Sequence, residues 1–148
     1  MKILVCTDGS ESSNNAVKKA AKIAALFKRV QITVINVIEP IYTPPPYGVN
    51  VAYSPNAIPS NYLHTEIKKE GMNILAEAAK IIDRKNVKLN TLLLSGHPTS
   101  TIADYASNHD FNLLVIGNKG RRALEGVLMG SVSSAVVQKS DCDVLVVK

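Results

Sequence analysis

Short apolar runs alternate along this chain with segments that have the periodicity of amphipathic helices. The apolar runs cover residues 2–7, 31–37, 87–94, 112–116 and 142–147. The helical patterns cover about residues 12–28, 61–83, 98–108 and 131–139. Strands joined by helical crossovers form parallel sheets with helices on both faces. We therefore predict one α/β domain over residues 1–148, with a five-stranded parallel open sheet in the order 3-2-1-4-5.

The helical segments carry further detail. In the first helix, Val17, Ala20, Ala21, Ala24 and Phe27 recur on one face, opposite lysines. Ser10 or Ser12 is its predicted N-cap, because a serine side chain can accept from a backbone N–H of the first turn. Pro98 suits the first turn of the third helix.

The segment from about residue 39 to residue 60 breaks the alternation. It holds six of the seven prolines, with Tyr42, Tyr47 and Tyr53 among them. Such a long loop in a compact domain is usually functional or disordered. Two interpretations stay open: a flexible connection between strand and helix, or a lid over a ligand or a subunit contact.

Composition narrows the class of protein. The net charge is +5, but no run of five basic residues occurs and only 5% of residues are aromatic, which argues against nucleic acid as a partner. No apolar run is long enough to span a bilayer, and residues 1–7 are too short for a signal sequence. We expect a cytoplasmic protein with no membrane partner. Cys6 and Cys142 lie in strand patterns, and we expect both to be small buried apolar residues.

Small and charged residues follow strands 1 and 4, which are neighbours in the predicted order. Thr7-Asp8-Gly9-Ser10 follows the first, and Gly117-Asn118-Lys119-Gly120 follows the fourth. Nine residues later, Gly130-Ser131-Val132-Ser133 opens the last helix. Ligands of open α/β sheets bind beyond the carboxyl ends of such strands, and glycines at a helix start let backbone N–H groups reach a phosphate. Lys119 and Arg121 could meet the outer phosphates.

Each of these residues also has a purely structural interpretation. Ser131 could only cap the last helix, Gly117 and Gly120 could only form a turn, and Asp8 could only cap the first helix. These roles explain the residues singly, but they explain the set at one edge of the sheet poorly, so we favour nucleotide binding. The Walker P-loop, the dinucleotide fingerprint GxGxxG after strand 1 and the GxSxG elbow are absent. Of the histidines His64, His97 and His109, His97 is the best placed for chemistry, after strand 3.

Taken together, the motifs resemble the universal stress protein family. The resemblance rests on Thr7-Asp8-Gly9-Ser10-Glu11 after strand 1, the glycine spacing at 117, 120 and 130–131, the Ser95-Gly96-His97-Pro98 turn and the terminal strand Asp143–Val147. It covers essentially the whole chain and implies a Rossmann-like fold of the adenine nucleotide alpha hydrolase type. The complete glycine-serine motif is similar to that of the family's ATP-binding branch.

The resemblance implies a role for each matching position. Asp8 would lie near the ribose or near a bound Mg²⁺ or Mn²⁺, and Val37 would meet the adenine through its backbone. Gly117 and Gly120 would shape the loop over the ribose and α-phosphate. The phosphates would be held by Gly130, Ser131, Val132 and Ser133. Thr7 stands where many members have Pro or Ala, which weakens the expectation of a ribose contact there. The implied ligand is ATP, with ADP and AMP as alternatives.

Three functions follow from this reasoning. The first is an ATP-binding signalling or stress-response module with slow or no hydrolysis, which forms a homodimer through the apolar edge strand 142–147. The second is a slow ATPase, for which Asp8 and Glu125 are the nearby carboxylates. The third is a dimeric interaction protein that binds a protein partner and no nucleotide.

Overall fold

The computed structural model describes residues 1–40, 60–82, 86–121, 123 and 128–148. Its elements follow the predicted alternation. They are β1 (Lys2–Cys6), α1 (Glu11–Ala24), β2 (Val30–Ile38), α2 (Ser60–Ile82), β3 (Val87–Ser95), α3 (Pro98–Ser107), β4 (Leu113–Gly117), α4 (Ser131–Lys139) and β5 (Asp143–Val147). The strands form one parallel sheet in the order β3-β2-β1-β4-β5, so the predicted fold class and strand order are confirmed.

Each face of the sheet packs against a pair of helices. α1 and α2 cover one face, where Val5 of β1 and Val34 of β2 are fully buried. α3 and α4 cover the other, where Leu4 and Ile35 are buried beside Val136 of α4. Burial on both faces explains why β1 is a nearly continuous apolar run rather than an alternating one.

One helix boundary was predicted wrongly. The helical pattern predicts α1 to about residue 28, with Phe27 on its apolar face, but α1 ends at Ala24. The N–H groups of Leu26 and Phe27 donate to the carbonyls three residues back, those of Ile23 and Ala24, so the chain tightens and turns out of the helix. Leu26 is 81% exposed and Phe27 is 45% exposed. The strand bounds differ from the prediction by one residue at several ends.

Two other predictions concern the middle of the chain and the cysteines. Most of the proline- and tyrosine-rich segment, residues 41–59, lies outside the described residues. Cys6 is buried as expected, and burial raises the pKa of its thiol. Cys142 precedes β5 rather than lying in it and is only half-buried. No helix in the described part of the chain is long and apolar enough to cross a bilayer.

Candidate functional site

The carboxyl-terminal edge of the sheet brings together the loops that the sequence singled out. β1 and β4 run parallel side by side, with Cys6 opposite Ile116. The loops that follow them therefore leave the sheet together, and the second loop leads on to α4. The segments that meet here are 7–10, 117–121 and 130–133.

Asp8 ties the two loops to each other. Its carboxylate accepts the Ser10 N–H at 3.0 Å and, from the other loop, the Arg121 N–H at 2.9 Å. Burial by itself would raise the pKa of this carboxyl, but the hydrogen bonds that it accepts, including those from the two backbone N–H groups, together lower it. Gly120 allows the approach, because a Cβ there would lie 2.8 Å from an Asp8 oxygen. Asp8 is therefore charged and engaged within the fold.

The start of α1 is covered by the loop after β4. Ser10 is the N-cap and accepts the Ser13 N–H, as one of the two predicted caps. The hydroxyls of Ser10 and Ser12 both donate to the Lys119 carbonyl. Gly117 lies against this turn, and a Cβ on it would come within 2.6 Å of the Ser12 hydroxyl. The Ser10 side chain and the Lys119 carbonyl thus already bind polar groups of the first turn of α1.

Asn118 joins the loop, the edge strand and α4, a role that the sequence analysis did not assign. It is buried, and its backbone N–H donates to the Val147 carbonyl at 2.6 Å. Its carbonyl accepts the Gly130 N–H at 2.7 Å and the Ser133 hydroxyl at 2.9 Å, while its side-chain amide donates to the Leu128 carbonyl. A polar residue between two motif glycines was the available signal.

The start of α4 is open by comparison. Gly130 is its N-cap, and no side chain in the described part of the protein caps the helix. The N–H groups of Ser131, Val132 and Ser133 have no acceptor within the helix, since the first turn of any helix lacks one. Ser131 is exposed, whereas the buried Ser133 hydroxyl donates to the carbonyls of Asn118 and Gly130. The donors directed outward at this helix start are therefore chiefly backbone N–H groups.

Gly130 differs from the other glycines that the structure describes. At the other five, a Cβ would meet a protein atom within 3.0 Å. At Gly130 the nearest atom of a described residue would be 3.5 Å away, an ordinary contact, and its φ of −72° suits any residue. Neither packing nor backbone conformation requires glycine there. A side chain at this position would therefore be tolerated by the described part of the protein.

The remaining predicted residues flank this helix start. The Arg121 guanidinium forms an ion pair with Glu70 of α2, and both side chains are about half exposed. The Lys119 backbone is held by α1, and its side chain is half-buried. The Thr7 hydroxyl bonds to the Ser13 hydroxyl at 3.1 Å inside the fold. Val37, on β2, packs on the α3–α4 side of the sheet.

A buried asparagine beside Thr7 was also missed. Asn36 of β2 donates from its amide nitrogen to the Thr7 carbonyl at 2.7 Å, while its amide oxygen has no partner in the described part of the chain. α2 approaches closely here, since a Cβ on Gly71 would lie 2.8 Å from that oxygen. The polar residue inside the apolar run QITVINV was the signal. Asn36 fixes the exit of β1, just before Asp8.

Asp8 is the residue for which a metal-binding role was predicted. No three His, Cys, Asp or Glu side chains gather in the described residues. Each oxygen of the Asp8 carboxylate accepts one backbone N–H group, which leaves a lone pair on each oxygen, so a role for Asp8 near a bound Mg²⁺ stays a prediction. His97 is an exposed residue preceding α3, and His109 stacks on Tyr105 with ring centroids 4.1 Å apart.

Comparison with known proteins identifies the family. The model of the universal stress protein family matches residues 1–148. The chain belongs to this family. A relative of established family membership, universal stress protein YxiE of Bacillus subtilis, is 30% identical over 99% of this chain and 98% of its own length.

Solved structures of universal stress proteins agree with the fold. UspA from Lactobacillus plantarum superposes with a TM-score of 0.80 over 100% of this chain and 97% of its own, at 24% identity. A universal stress protein solved in complex with cAMP is 28% identical, with a TM-score of 0.71 over 100% and 97% of the two chains. The resemblance seen in the motifs is therefore confirmed at the level of family and fold.

Proposed function

We propose that this protein binds an adenine nucleotide, ATP foremost, at the carboxyl edge of its sheet. In this proposal it acts in the cytoplasm as a nucleotide-dependent signalling or stress-response module. The phosphates lie at the N-terminus of α4, where three backbone N–H groups and the positive end of the helix dipole face an anion. The base and ribose extend over the ends of β1 and β2.

Gly130 carries the proposal. Packing and backbone conformation would both accept a side chain at this position, yet the chain has none. A side chain there would project over the N–H groups of the first turn of α4. A close-lying anion is a sufficient reason for its absence, because phosphate must approach these N–H groups to within hydrogen-bonding distance.

The other residues take roles that fit their positions. Gly117 and Gly120 let the loop lie close to α1 and Asp8, and so set the surface on which ribose and α-phosphate would rest. Asp8, Thr7 and the Val37 backbone border the ribose and base. Lys119 and Arg121 supply positive charge for the outer phosphates, Arg121 by leaving Glu70. Ser131, Val132 and Ser133 donate their N–H groups, and Ser131 adds its hydroxyl.

The identity of the nucleotide follows from the same chemistry. The relative solved with cAMP supports an adenine nucleotide in general. The open helix start and the two neighbouring cations favour a ligand with a phosphate chain, so we rank ATP above ADP and AMP. Mg²⁺ or Mn²⁺ would enter with the nucleotide, held by its phosphates, and Asp8 is the carboxylate that could ligate it from the protein.

Hydrolysis is expected to be slow or absent. It requires a base placed on a water molecule in line with the γ-phosphate. The Asp8 carboxylate is engaged by backbone N–H groups, and Glu125 lies outside the described residues. We expect turnover below about 1 s⁻¹, the lower end of typical enzymes. Faster turnover would favour the alternative, an ATPase.

Calorimetric titration tests the nucleotide site. We expect Mg-ATP to bind wild type, to bind Gly130→Ala more weakly and to bind Gly130→Val at least about tenfold more weakly, because a branched side chain blocks the first-turn N–H groups. Ala25→Val is the matched control and should bind as wild type. Ala25 is exposed and lies at the opposite end of α1, near the amino-terminal ends of the strands. Unchanged ATP binding by a folded Gly130→Val variant would show that the phosphates lie elsewhere.

We further propose a homodimer through β5. This strand pairs with β4 on one side and forms an edge of the sheet, and Val144, Leu145 and Val146 are only half-buried. The Val147 carbonyl points toward the β4 side, where it accepts the Asn118 N–H. Since neighbouring residues alternate along a strand, the Val146 N–H points to the open edge.

Val146→Pro tests the dimer without breaking the ladder to β4, because proline removes only the outward donor. We expect wild type to be dimeric and the variant monomeric in light scattering, with unchanged circular dichroism. A dimeric variant would place the interface elsewhere. A dimer that binds none of ATP, ADP, AMP or cAMP would instead favour the interaction protein that responds to a protein partner.

A further inference from the structure

The turn between α1 and β2 exposes two adjacent large apolar side chains. Leu26 is 81% exposed and Phe27 is 45% exposed, and neither belongs to the buried clusters on the two faces of the sheet. Single exposed apolar residues are common on protein surfaces. An adjacent pair on a tight turn at the tip of a helix is more notable, because the fold gains little from it.

This apolar pair lies in a strongly basic stretch. Between Glu11 and Glu39 the sequence has no acidic residue, but it has Lys18, Lys19, Lys22, Lys28 and Arg29. Lys28 and Arg29 directly follow the apolar pair and are exposed. Arg29 also shares a shallow groove at this edge with Lys88 of β3 and with Met1. Basic side chains therefore follow the apolar pair directly in the chain, and Lys22 precedes it in the last turn of α1.

We propose that this amino-terminal edge of the sheet, centred on Leu26, Phe27, Lys28 and Arg29, docks onto an anionic phospholipid surface. Leu26 and Phe27 enter the boundary between headgroups and acyl chains, while the basic side chains stay at the level of the phosphates. Apolar side chains with flanking Lys and Arg bind anionic interfaces by both effects. The apolar pair would act as an anchor that does not span the bilayer, so the proposal replaces the expectation of no membrane partner, which rested on the lack of a spanning segment.

The chemistry of the patch favours lipid over macromolecular partners. A nucleic acid would use the cations but leave the Leu26 side chain in water, whereas an acyl region removes it from water. A stable protein interface buries about 800 Å² on each partner, and one aromatic side chain buries about 150–250 Å². Two side chains fall short of that area, but they suffice to anchor reversibly when charge assists.

This surface is independent of the proposed nucleotide site. α1 begins at the carboxyl edge of the sheet, where Ser10 meets the Lys119 loop, and ends at the opposite edge, where Leu26 lies. A molecule docked through the turn would therefore present the nucleotide site to the aqueous side. The inference does not require that a nucleotide binds.

Vesicle co-sedimentation tests the proposal with the full chain. We expect wild type to bind vesicles of an equal mixture of phosphatidylserine and phosphatidylcholine, to leave them at high salt and to bind pure phosphatidylcholine at least about tenfold more weakly. Leu26→Ser/Phe27→Ser and Lys28→Glu/Arg29→Glu should each weaken binding to mixed vesicles at least about tenfold. These positions are exposed, so circular dichroism should match wild type.

Matched control variants distinguish docking through this surface from nonspecific binding to vesicles. Met72→Ser removes an apolar side chain that is 57% exposed on α2, and Lys68→Glu/Lys69→Glu reverses two exposed lysines of the same helix. Both should bind mixed vesicles within about threefold of wild type, since the charge of the whole chain contributes only weakly at a distance. The proposal is overturned if wild type does not bind, if the controls lose as much as the patch variants, or if Leu26→Ser/Phe27→Ser binds as wild type. In that last case, we would measure binding to duplex DNA. If wild type and Leu26→Ser/Phe27→Ser bound DNA equally well, the basic surface would be a nucleic-acid surface.

Discussion

The first turns of α1 and α4 have nearly the same backbone but opposite surroundings. Their N-cap residues, Ser10 and Gly130, have φ, ψ of −69°, 163° and −72°, 163°. Three residues later each helix has a serine, Ser13 or Ser133, whose hydroxyl donates to the N-cap carbonyl at 3.0 Å. The difference is the N-cap side chain, which is present in α1 and absent in α4.

That difference separates a structural helix start from a candidate binding one. In α1 the Ser10 side chain accepts a first-turn N–H, and the Lys119 carbonyl receives the serine hydroxyls, so the protein satisfies its own polar groups. In α4 the N-cap has no side chain, and the first-turn N–H groups find no acceptor among the described residues. A Gly-Ser pair thus begins both helices. In α1 its serine caps the helix, whereas in α4 its glycine leaves the first-turn N–H groups for a nucleotide in our proposal.

We expect the largest loss of stability from a change at Asp8, which joins the loop after β1 to the loop after β4. Asp8→Asn removes one of the two carboxylate oxygens that accept the Ser10 and Arg121 N–H groups, and should lower the free energy of unfolding by about 2 kcal/mol near pH 7. Chemical denaturation of both proteins measures the loss.

The pH dependence of that loss identifies the carboxylate as its cause. The folded pKa of Asp8 is lowered, so its stabilising effect is present above the ordinary value of about 3.9 and disappears as the pH falls through the folded value. The difference between wild type and Asp8→Asn should therefore shrink below about pH 4. A difference that stays constant down to about pH 2 would contradict this origin.

Exchanging the caps tests the comparison directly. Ser10→Ala should lower the free energy of unfolding by about 1 kcal/mol without a specific change in ATP affinity. Gly130→Ser should leave stability unchanged or raise it by a few tenths of a kcal/mol, and should weaken ATP binding severalfold, because its hydroxyl would accept a first-turn N–H. Thermal unfolding and calorimetry report the two quantities. If Gly130→Ser bound ATP more tightly, the serine would be a ligand and the argument from the open cap would fail.

The smallest effect concerns the ion pair beside the site. Glu70→Gln releases Arg121, and because both side chains are about half exposed the pair contributes less than about 1 kcal/mol. We expect ATP affinity to rise about twofold, with AMP affinity unchanged. Glu77→Gln breaks the exposed pair with Lys80 on the same helix and serves as the matched control. A weaker affinity for ATP in Glu70→Gln would argue that Glu70 positions Arg121 rather than competing for it.

The sequence was sufficient to predict the succession of elements, since apolar runs that alternate with helical periodicity indicate a parallel sheet. The strand order was instead taken from nucleotide-binding folds, and the structure confirms it. It failed at the end of α1, because Leu26 and Phe27 continue the helical pattern although the backbone turns out of the helix before them. Periodicity reports which residues could face a core, not whether the helix is long enough to bring them there. Because α1 ends at Ala24, Leu26 and Phe27 lie on an exposed turn.

The site was predicted in part. The sequence located the loops at one edge, because neighbouring parallel strands end together, and it singled out Gly130 and Ser131. It could not distinguish the two helix starts, since Gly9-Ser10 and Gly130-Ser131 are alike until the caps are placed. Asn118 and Asn36 were missed because their roles depend on contacts with residues 29 or more positions away, Val147 and Thr7.

Asn118 links the edge strand β5 to the N-terminus of α4. Through its peptide group and side chain, one residue joins the Val147 carbonyl to the Gly130 N–H and the Ser133 hydroxyl. If pairing along β5 alters the affinity at the helix start, thermodynamic linkage requires that a ligand at the helix start alter the pairing by the same factor. Dimer dissociation, measured with and without nucleotide, would then serve as a second gauge of binding.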